Sequence, residues 1–582
     1  MSDQKNVILA VVLCIGIIFG FQYFFPSPEI ENQAAQNNEQ AAMNANGSTA
    51  PTPGTAGTAA VPSGTSAALP AMSREESLAK TPRIKINTPS LHGSIALKGA
   101  RIDDLTLVNY REEVDPSSPE IKLFSPSGSP KPYYAEFGWS VGPETTVKLP
   151  NSNSIWTTTA SELTTEKPLV LTWDNGEGLI FTRTYAVDDH FLFTVNQKVQ
   201  NNTGNPVTLY PYGLISRTGM PETTGFYILH EGPIGVFNET LEEVDYDDLM
   251  EEGTRAQTST GGWIGMTDKF WLAALIPDQA TPSKSRFNHV AQGNRFQTDY
   301  VSQTGVTIPA GSSSDATNRL FAGAKEVHVL DNYEEEFGIS RLELAIDWGW
   351  FYFLTKPIYF ALEFLDAQIG NLGLAILALT VIIKLLLLPL AHKSYVSMTK
   401  MKKLQPEMVK LREQFGDDKQ KLNQEMMALY KREKANPAAG CLPILLQIPI
   451  FFALYKVLFV TLLMRHQPFY GWITDLSAPD PTNLFELFGL IPWSPPEFMM
   501  IGALPILMGL SMYLQQKFNP QPADPVQAKI FLFMPIFFTF LLASFPAGLV
   551  IYWTWNNCLS IAQQWFIMKR MGVSVSGQST KA

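Results

Sequence analysis

An apolar run in the C-terminal third of the chain carries a single charge. Residues 372–390 are uncharged except for Lys384. A charge inside a membrane helix costs about 2.5–3.5 kcal/mol on insertion scales, so it normally faces water or a partner. The run is followed by about fifty basic, helix-patterned residues and then by four more apolar stretches. This order predicts a helical membrane protein with a polar interior.

Six apolar stretches are candidate membrane spans, because about 20 residues cross a hydrocarbon core of roughly 30 Å. They are residues 7–25, 372–391, 442–464, 498–516, 528–545 and 549–567. The first could instead be a cleavable signal peptide. No small-residue cleavage site precedes the Phe-Phe-Pro sequence at its C-terminal end, which favours an uncleaved anchor.

Charge is distributed unevenly along the chain, which predicts an orientation. Residues 81–340 carry 33 Asp or Glu and 19 Lys or Arg, whereas residues 392–440 carry 11 Lys or Arg and 6 acids. Basic loops stay in the cytoplasm. We therefore expect a multi-pass protein with both termini and the basic segment in the cytoplasm, and with the acidic region outside it.

The region before the core spans has the pattern of a β-sandwich. Residues 169–173 and 179–185 are apolar, alternating runs on either side of Asp-Asn-Gly-Glu-Gly, which predicts a hairpin. Repeated short strands with Gly and Pro turns indicate two packed sheets. The aromatic, charge-flanked stretch before residue 371 suits an interfacial helix, or else a poor first half of a span. The predicted domains are an anchor (1–28), a disordered linker (29–80), a β-sandwich (81–340), an interfacial amphipathic helix (341–371), a five-helix core (372–570) and a tail (571–582).

The basic segment 392–440 reads as two antiparallel helices. Apolar residues recur every three or four positions over 394–414 and 421–434, with Gly416 between them and Asp417 or Asp418 as the second N-cap. The hairpin is either a docking surface for proteins or a solvated element resting on anionic lipid. Its candidate functional residues are Met401, Lys402, Lys403, Leu404, Gly416, Asp417 and Asp418.

Polar side chains recur at helical spacing within the core spans. Thr380 and Lys384 share a face, Ser511 and Gln515 share another, and Gln447 lies between two prolines. The last span carries a stripe of Tyr552, Asn556, Ser560 and Gln563. Polar groups in lipid need partners, so we expect these stripes to face one another around a hydrated cavity. In the alternative, Lys384 merely extends its ammonium to the cytoplasmic surface.

The sequence offers no covalent or metal chemistry. Its three cysteines lack zinc-type spacing, and its seven histidines include no H-E-x-x-H arrangement. No catalytic triad or phosphate loop is visible. We predict no metal, no cofactor and no enzymatic activity.

The C-terminal core contains a series of short motifs. In chain order they are Lys384-x4-Pro389-Leu, Tyr395-Val-Ser-Met398, Met401-Lys-Lys-Leu404-Gln-Pro406, Gly416-Asp-Asp-Lys419, Gln424-Glu-Met-Met-Ala-Leu-Tyr430, Asn436-Pro-x2-Gly440-Cys-x-Pro443-x3-Gln447-x-Pro449 and Phe545-Pro-x-Gly548-Leu. With these motifs the core closely resembles the YidC insertases, bacterial relatives of the mitochondrial Oxa insertases. The motifs cover residues 348–570 densely. The N-terminal part matches the Gram-negative members in layout more than in motif.

The resemblance implies a membrane α-helical bundle, with an N-terminal anchor and a five-helix core, plus a large periplasmic all-β sandwich domain and a cytoplasmic helical hairpin. It also implies a groove whose positive residue, usually Arg, attracts acidic residues of a client. Here that position is Lys384, and Trp553 stands where some relatives carry a second Tyr. The candidate groove residues are Lys384, Thr380, Gln447, Ser511, Gln515, Tyr552, Trp553 and Asn556.

These observations predict a membrane protein insertase and folding chaperone of the bacterial inner membrane, acting alone or with the Sec translocon. Expected partners are nascent membrane proteins, the translocon with its accessory subunits, a ribosome or signal-recognition-particle receptor, and the bilayer, with no specific nucleic acid. One alternative is a small-anion transporter or channel that uses Lys384. Another is a membrane-tethered periplasmic carbohydrate enzyme, which leaves the core spans unexplained.

Overall fold

The computed structural model describes residues 72–142, 147–225, 228–416, 418–433, 442–486, 491, 496, 500–519 and 525–573. The predicted anchor, most of the linker and nearly all of the tail lie outside these residues. The chain divides into two compact units, Met1–Asp347 and Trp348–Ala582.

The first unit is built on two large antiparallel-rich sheets. One has the order β13-β16-β17-β10-β5-β3-β2-β1-β6, with β18 also paired to β10 and β4 to β3, and the other has the order β12-β11-β14-β15-β19-β9-β8-β7. The strands are β1 Arg83–Asn87, β2 Leu91–Ala96, β3 Arg101–Arg111, β4 Glu120–Phe124, β5 Tyr133–Val141, β6 Glu162–Leu163, β7 Leu169–Asp174, β8 Leu179–Val187, β9 Leu192–Asn201, β10 Val207–Thr218, β11 Gly232–Phe237, β12 Thr240–Glu243, β13 Thr254–Thr260, β14 Trp263–Thr267, β15 Trp271–Ile276, β16 Pro282–Val290, β17 Arg295–Ser302, β18 Val306–Ile308 and β19 Ser313–Ala324. The predicted β-sandwich is therefore confirmed.

The β7–β8 hairpin shows how local sequence sets this fold. Its turn contains Gly176 and Gly178 at φ 75° and 92°, a region that glycine enters without steric cost. The Asn175 side chain accepts hydrogen bonds from the backbone amides of Glu177 and Leu179 (2.7 and 3.0 Å). Burial then alternates along β8, as a half-buried strand requires. The hairpin predicted from the sequence is confirmed.

Polar side chains join the two sheets across the core. Tyr300 of β17 donates a hydrogen bond to Asn318 of β19 (2.6 Å), and Tyr185 of β8 donates to the carbonyl of Ala100 beside β3 (2.6 Å). Within the first sheet, Arg101 of β3 and Glu136 of β5 form a salt bridge at 2.6 Å, with both side chains 8% exposed. Removal of either partner would destabilise the fold, because the remaining charge would be left in a poorly solvated site.

The predicted linker is wrong at its C-terminal end. Residues Arg74–Ala79 form a short helix, α1, that begins with a capping box between Ser73 and Glu76. The Arg74 guanidinium forms an ion pair with Asp104 of β3. The capping box and the ion pair order residues that composition alone assigned to a flexible segment.

Two further helices belong to the first unit, and the others to the second. They are α2 Tyr246–Glu252, α3 Val327–Phe337, α4 Tyr352–Ile369, α5 Leu372–Leu386, α6 Leu388–Phe415, α7 Lys419–Arg432, α8 Leu442–Val460, α9 Ala503–Phe518, α10 Pro525–Leu541 and α11 Ala547–Arg570. The predicted helix over 341–371 is shorter than expected. α4 starts only at Tyr352, while Leu342–Ala345 form a separate 3₁₀ turn.

The span predicted over 372–391 is also wrong in extent. α5 ends at Leu386, and α6 starts at Leu388 with Pro389 in its first turn, where a missing amide hydrogen costs nothing. By length and hydropathy, no individual helix of the described residues passes as a membrane span. The α5–α6 pair, bent by 71°, passes only when its two helices are counted together.

The start of α9 shows why a predicted boundary moved. The span was expected from residue 498, but α9 begins at Ala503. Its free backbone amides are used by a preceding loop, since Thr482 Oγ1 accepts from Ala503 N (2.9 Å) and Asp480 Oδ2 accepts from Leu504 N (2.7 Å). The apolar run before residue 503 is thus not part of this helix.

Candidate functional site

The last helix, α11, is the centre of the helical unit. It contacts α5, α6, α8 and α9. Its polar residues Asn556, Ser560, Gln563 and Gln564 are spaced so that they share one helical face. The candidate site is therefore described from α11 outward.

Lys384 of α5 reaches across to α11. Its Nζ donates a hydrogen bond to Ser560 Oγ (2.8 Å), and that hydroxyl donates to the carbonyl of Asn556 (2.8 Å). The helix that carries Tyr395, α6, also packs against α11. The hydrogen bond from Lys384 to Ser560 joins α5 to α11, and we call this contact the Ser560 node. Among the described residues, no carboxylate lies within ion-pair distance of the half-buried Lys384.

Thr380 lies one turn before Lys384 and is not bonded to it. Its side chain is 2% exposed, and its hydroxyl donates to the carbonyl of Ile376 on its own helix (2.7 Å). A hydroxyl that is satisfied within its helix does not need a partner in the cavity. The structure therefore places Thr380 beside the site with its donor already used.

A second polar contact joins α8 to α11. Gln447 Nε2 donates to the hydroxyl of Tyr552 (3.2 Å), whose side chain is buried. The ring of Phe451 lies 6.3 Å from that of Tyr552 and 4.8 Å from that of Trp553. Trp553 also lies 5.7 Å from Phe538 of α10. An aromatic cluster therefore adjoins this polar pair.

The contact between α9 and α11 uses a residue that sequence analysis missed. Asn557 Nδ2 donates to Ser511 Oγ (3.0 Å), and Ser511 donates in turn to the carbonyl of Met508 (2.6 Å). Asn557 lies one residue after Asn556 of the predicted polar stripe, so the helical spacing did not predict a role for it. Gln515 is half-buried one turn beyond Ser511.

Several acceptors on α11 have no partner within the part of the chain that the structure describes. They are the buried amide oxygens of Asn556, Gln563 and Gln564. The amide nitrogen of Gln564 donates to Asn519 (3.0 Å). Buried amide oxygens normally have a partner, either protein or water. The Ser560 face therefore has hydrogen-bonding capacity that the described protein atoms do not use.

The hairpin of α6 and α7 packs through an apolar seam. Leu404 and Leu429 are buried there, with Met401 and Met408 partly buried against them. Asp418 caps α7 by accepting from the amides of Gln420 and Lys421 (3.1 and 3.0 Å). The other candidate cap, Asp417, lies outside the described residues.

Two adjacent lysines of α6 have different environments. Lys402 is 3% exposed, and its ammonium donates to the backbone carbonyl of Lys517 at the end of α9. Burial lowers the pKa of Lys402 to about 8. Lys403 is exposed, and Gly416 ends α6 with a right-handed backbone (φ −59°). Lys402 therefore attaches the hairpin to the core rather than facing solvent.

Family models match both units of the chain. The model described as the YidC periplasmic domain matches residues 83–361, and the model described as the 60Kd inner membrane protein matches residues 364–574. Together with the β-sandwich and the polar helical site, they define a bacterial inner-membrane protein with a periplasmic domain.

Full-length relatives then give the family. The chain is 51% identical to the membrane protein insertase YidC of Methylobacterium sp. (strain 4-46), over 99% of this chain and 96% of the relative. It is 50% identical to that of Bradyrhizobium diazoefficiens, over 99% and 97%. The chain belongs to the YidC family of membrane protein insertases. This confirms the predicted insertase function and the prediction that the chain is not an enzyme, and nothing supports the anion-transporter alternative.

Solved structures give weaker similarity. An active YidC insertase crystal structure with its first transmembrane domain resolved covers 82% of this chain and 91% of its own, at 16% identity and a TM-score of 0.32. A galactose mutarotase related enzyme from Lactobacillus acidophilus covers 41% and 97%, at 10% identity and a TM-score of 0.30. At these TM-scores the family assignment rests on the sequence relatives.

Proposed function

We propose that the chain inserts hydrophobic segments of nascent membrane proteins through a groove formed by α5, α8, α9 and α11. The polar end of a client enters this groove, and its apolar part passes into lipid between α8 and α10. The observation that carries the proposal is the Ser560 node, in which neutral groups hold the Lys384 ammonium. The groove residues are Lys384, Thr380, Gln447, Ser511, Gln515, Tyr552, Trp553 and Asn556.

The charge of Lys384 is available to a client because its recorded partner, Ser560, is neutral. Two unit charges 4 Å apart interact by about 4 kcal/mol at an effective dielectric constant of 20. That energy is comparable with the cost of about 2.5–3.5 kcal/mol for placing an acidic residue within the membrane. Lys384 can therefore offset most of the cost of bringing one client carboxylate into the groove.

The outer face of α10 supports the proposed exit into lipid. Phe533, Ile536, Phe537 and Phe540 are each more than half exposed. Such a face suits acyl chains, and a client segment that reaches it exchanges water for an apolar environment. The membrane potential adds about 2.3 kcal/mol per charge per 100 mV for an acidic tail moving outward. No nucleotide is needed in this scheme.

The orientation and partners are part of the same proposal. Both termini and the α6–α7 hairpin lie in the cytoplasm, and the β-sandwich lies in the periplasm, as the charge distribution favours. The anchor, the linker, the interfacial helix and the five-helix core have the ranges given above. The α6–α7 hairpin receives clients, a ribosome or a signal-recognition-particle receptor. Its candidate residues are Met401, Lys402, Lys403, Leu404, Gly416, Asp417 and Asp418, of which the buried Lys402 attaches the hairpin to the core. The Sec translocon with its accessory subunits is a further expected partner.

The test compares clients with acidic and neutral translocated tails in cells depleted of their own insertase. Lys384→Ala and Lys384→Glu should impair insertion of the acidic-tail client more than that of the neutral one, and Lys384→Arg should retain it. The matched control is Lys393→Ala, an exposed lysine nine residues further along. Equal insertion of both clients by Lys384→Glu would remove this lysine from the mechanism.

A further inference from the structure

A cavity of about 430 Å³ lies between α9 and α10. Its lining includes Leu510 and Tyr513 from α9, and Leu532 and Phe533 from α10. The one threonine that lines it, Thr539, donates its hydroxyl to the carbonyl of Pro535 on its own helix (2.8 Å). The cavity, which we call the α9–α10 groove, therefore presents an almost wholly apolar surface.

A close helix contact keeps this groove open. A Cβ atom placed on Gly509 would lie 2.0 Å from the hydroxyl of Thr539, so the two helices meet at a position where only glycine fits. The larger residues on either side then hold the helices apart. Leu510, Leu532 and Phe533 are each more than half exposed beside this contact. The groove is therefore a fixed depression on an exposed apolar face.

The size of the groove favours an extended chain over a helix. A helix about 10 Å wide with a 5.4 Å pitch encloses about 420 Å³ per turn, so only about one turn of a client helix would fit. At about 30 Å³ for each water-sized group, the same volume holds about 14 methylene groups. One acyl chain of a phospholipid has that size.

Two cations lie at one end of the groove. The Lys517 ammonium is 5.0 Å from the ring centroid of Tyr513, which lines the groove. Lys529 lies one helical turn before Leu532 and Phe533. Both lysines are exposed, and neither α9 nor α10 contains an acidic residue. Gly509 of α9 meets Pro535 and Thr539 of α10, so Lys517 lies beyond the lining residues toward the end of α9, and Lys529 lies beyond them toward the start of α10.

We propose that the α9–α10 groove is a specific site for an anionic phospholipid. One acyl chain fills the apolar cavity, and the phosphate binds Lys517 and Lys529. This arrangement combines an apolar groove for the chain with positive charge for the headgroup, which neither a neutral lipid nor a client helix matches. The site requires only the membrane location of the family, so a negative result would leave the groove mechanism around Lys384 untouched.

Native mass spectrometry of the full chain, delipidated in detergent and titrated with dioleoylphosphatidylglycerol, tests the proposal. A Lys517→Gln variant should bind this lipid about fivefold more weakly, and the Lys517→Gln/Lys529→Gln variant about thirtyfold more weakly, from the typical effect of a lysine near an anionic surface. Affinity for dioleoylphosphatidylcholine should not change. Lys517→Gln keeps the backbone carbonyl that Lys402 uses.

Two further variants make the test specific. Lys569→Gln is the matched control, because Lys569 is also exposed and 5.0 Å from an aromatic ring, that of Trp565, but has no part in the groove. Leu510→Trp should fill the cavity and weaken binding at least tenfold with both lysines present, in protein whose unfolding midpoint is unchanged. An equal loss in Lys569→Gln, or no loss in Leu510→Trp, would overturn the proposal. Photocrosslinks from position 510 to a stalled client and none to lipid would also overturn it.

Discussion

Removing the hydroxyl of Ser560 should weaken insertion of clients with acidic tails. Ser560→Ala deletes the acceptor that lies 2.8 Å from the Lys384 ammonium. A hydrogen bond to a charged group contributes about 1.5–3 kcal/mol. Because Lys384 is only half-buried, water can replace part of this bond, and the lower figure applies. About 1.5 kcal/mol corresponds to roughly a tenfold change in the population of the held ammonium.

The assay measures insertion rates of two clients that differ only in the charge of the translocated tail. The ratio of acidic-tail to neutral-tail rates should fall about tenfold in Ser560→Ala, whereas the neutral-tail rate should change little. Ser560→Thr, which restores a hydroxyl, should recover the ratio. Thr554→Val is the control, since the Thr554 hydroxyl donates only to the carbonyl of Val550 on its own helix.

Two results would refute the reasoning. If Ser560→Ala lowers both rates equally, the serine acts through the packing of α11 rather than through the lysine charge. If Ser560→Ala leaves the ratio of acidic-tail to neutral-tail rates unchanged while Lys384→Ala lowers it, the ammonium acts without the hydrogen bond to Ser560. The pair of variants therefore separates the role of the charge from the role of its support.

The other expectations concern the β-sandwich and the hairpin. Arg101→Met leaves Glu136 buried without its cation, so the free energy of unfolding should fall by about 3–5 kcal/mol, and an unchanged thermal midpoint would contradict this. Burial alone would lower the pKa of His230, but its hydrogen bond to Asp245 raises it above the usual 6.5. The protonated His230 therefore stabilises the folded state fully below about pH 6.5, and this contribution is lost as the pH rises through the raised pKa. Hydrogen exchange of residues 228–246 should then accelerate with pH more than the intrinsic exchange rate does. His230→Gln should abolish this extra acceleration. Lys402→Met removes the bond that attaches the hairpin to α9, so exchange in α6 and α7 should increase. Lys403→Met, at the exposed neighbouring lysine, should leave exchange unchanged. Equal protection in the two variants would show that Lys402 does not attach the hairpin to α9.

The architecture was largely predictable because it depends on long, repeated patterns. The β7–β8 hairpin follows from strand alternation around an Asn-Gly turn, and the α6–α7 seam follows from apolar residues at helical spacing. Both signals extend over many residues, so single exceptions do not obscure them. The groove assignments remain predictions, although Lys384, Gln447 and Tyr552 do make contacts between helices in the structure.

The partners of each polar residue were not predictable, because they depend on how the helices rotate and where they end. Asn557 rather than Asn556 meets Ser511, and only the packing of α9 on α11 selects between them. Lys402 was predicted only as one of the candidate residues of the hairpin, whereas the end of α9 supplies a carbonyl that allows its burial. Sequence spacing gives the face of a helix but not the residue opposite.

The break at Leu387 explains how Lys384 is accommodated although no carboxylate of the described residues lies beside it. Since α5 ends at Leu386, Lys384 lies in its last turn, where the unsatisfied carbonyls form the negative end of the helix dipole. A cation there gains about 0.3–1 kcal/mol, and Ser560 adds a directed hydrogen bond. Neither group cancels the charge, whereas in the proposed mechanism a carboxylate at this place would have to be displaced by each client. The continuous span predicted from the sequence would have put Lys384 within a fully bonded helix, so the proposed role of this residue depends on the bend, which stabilises the ammonium without neutralising it.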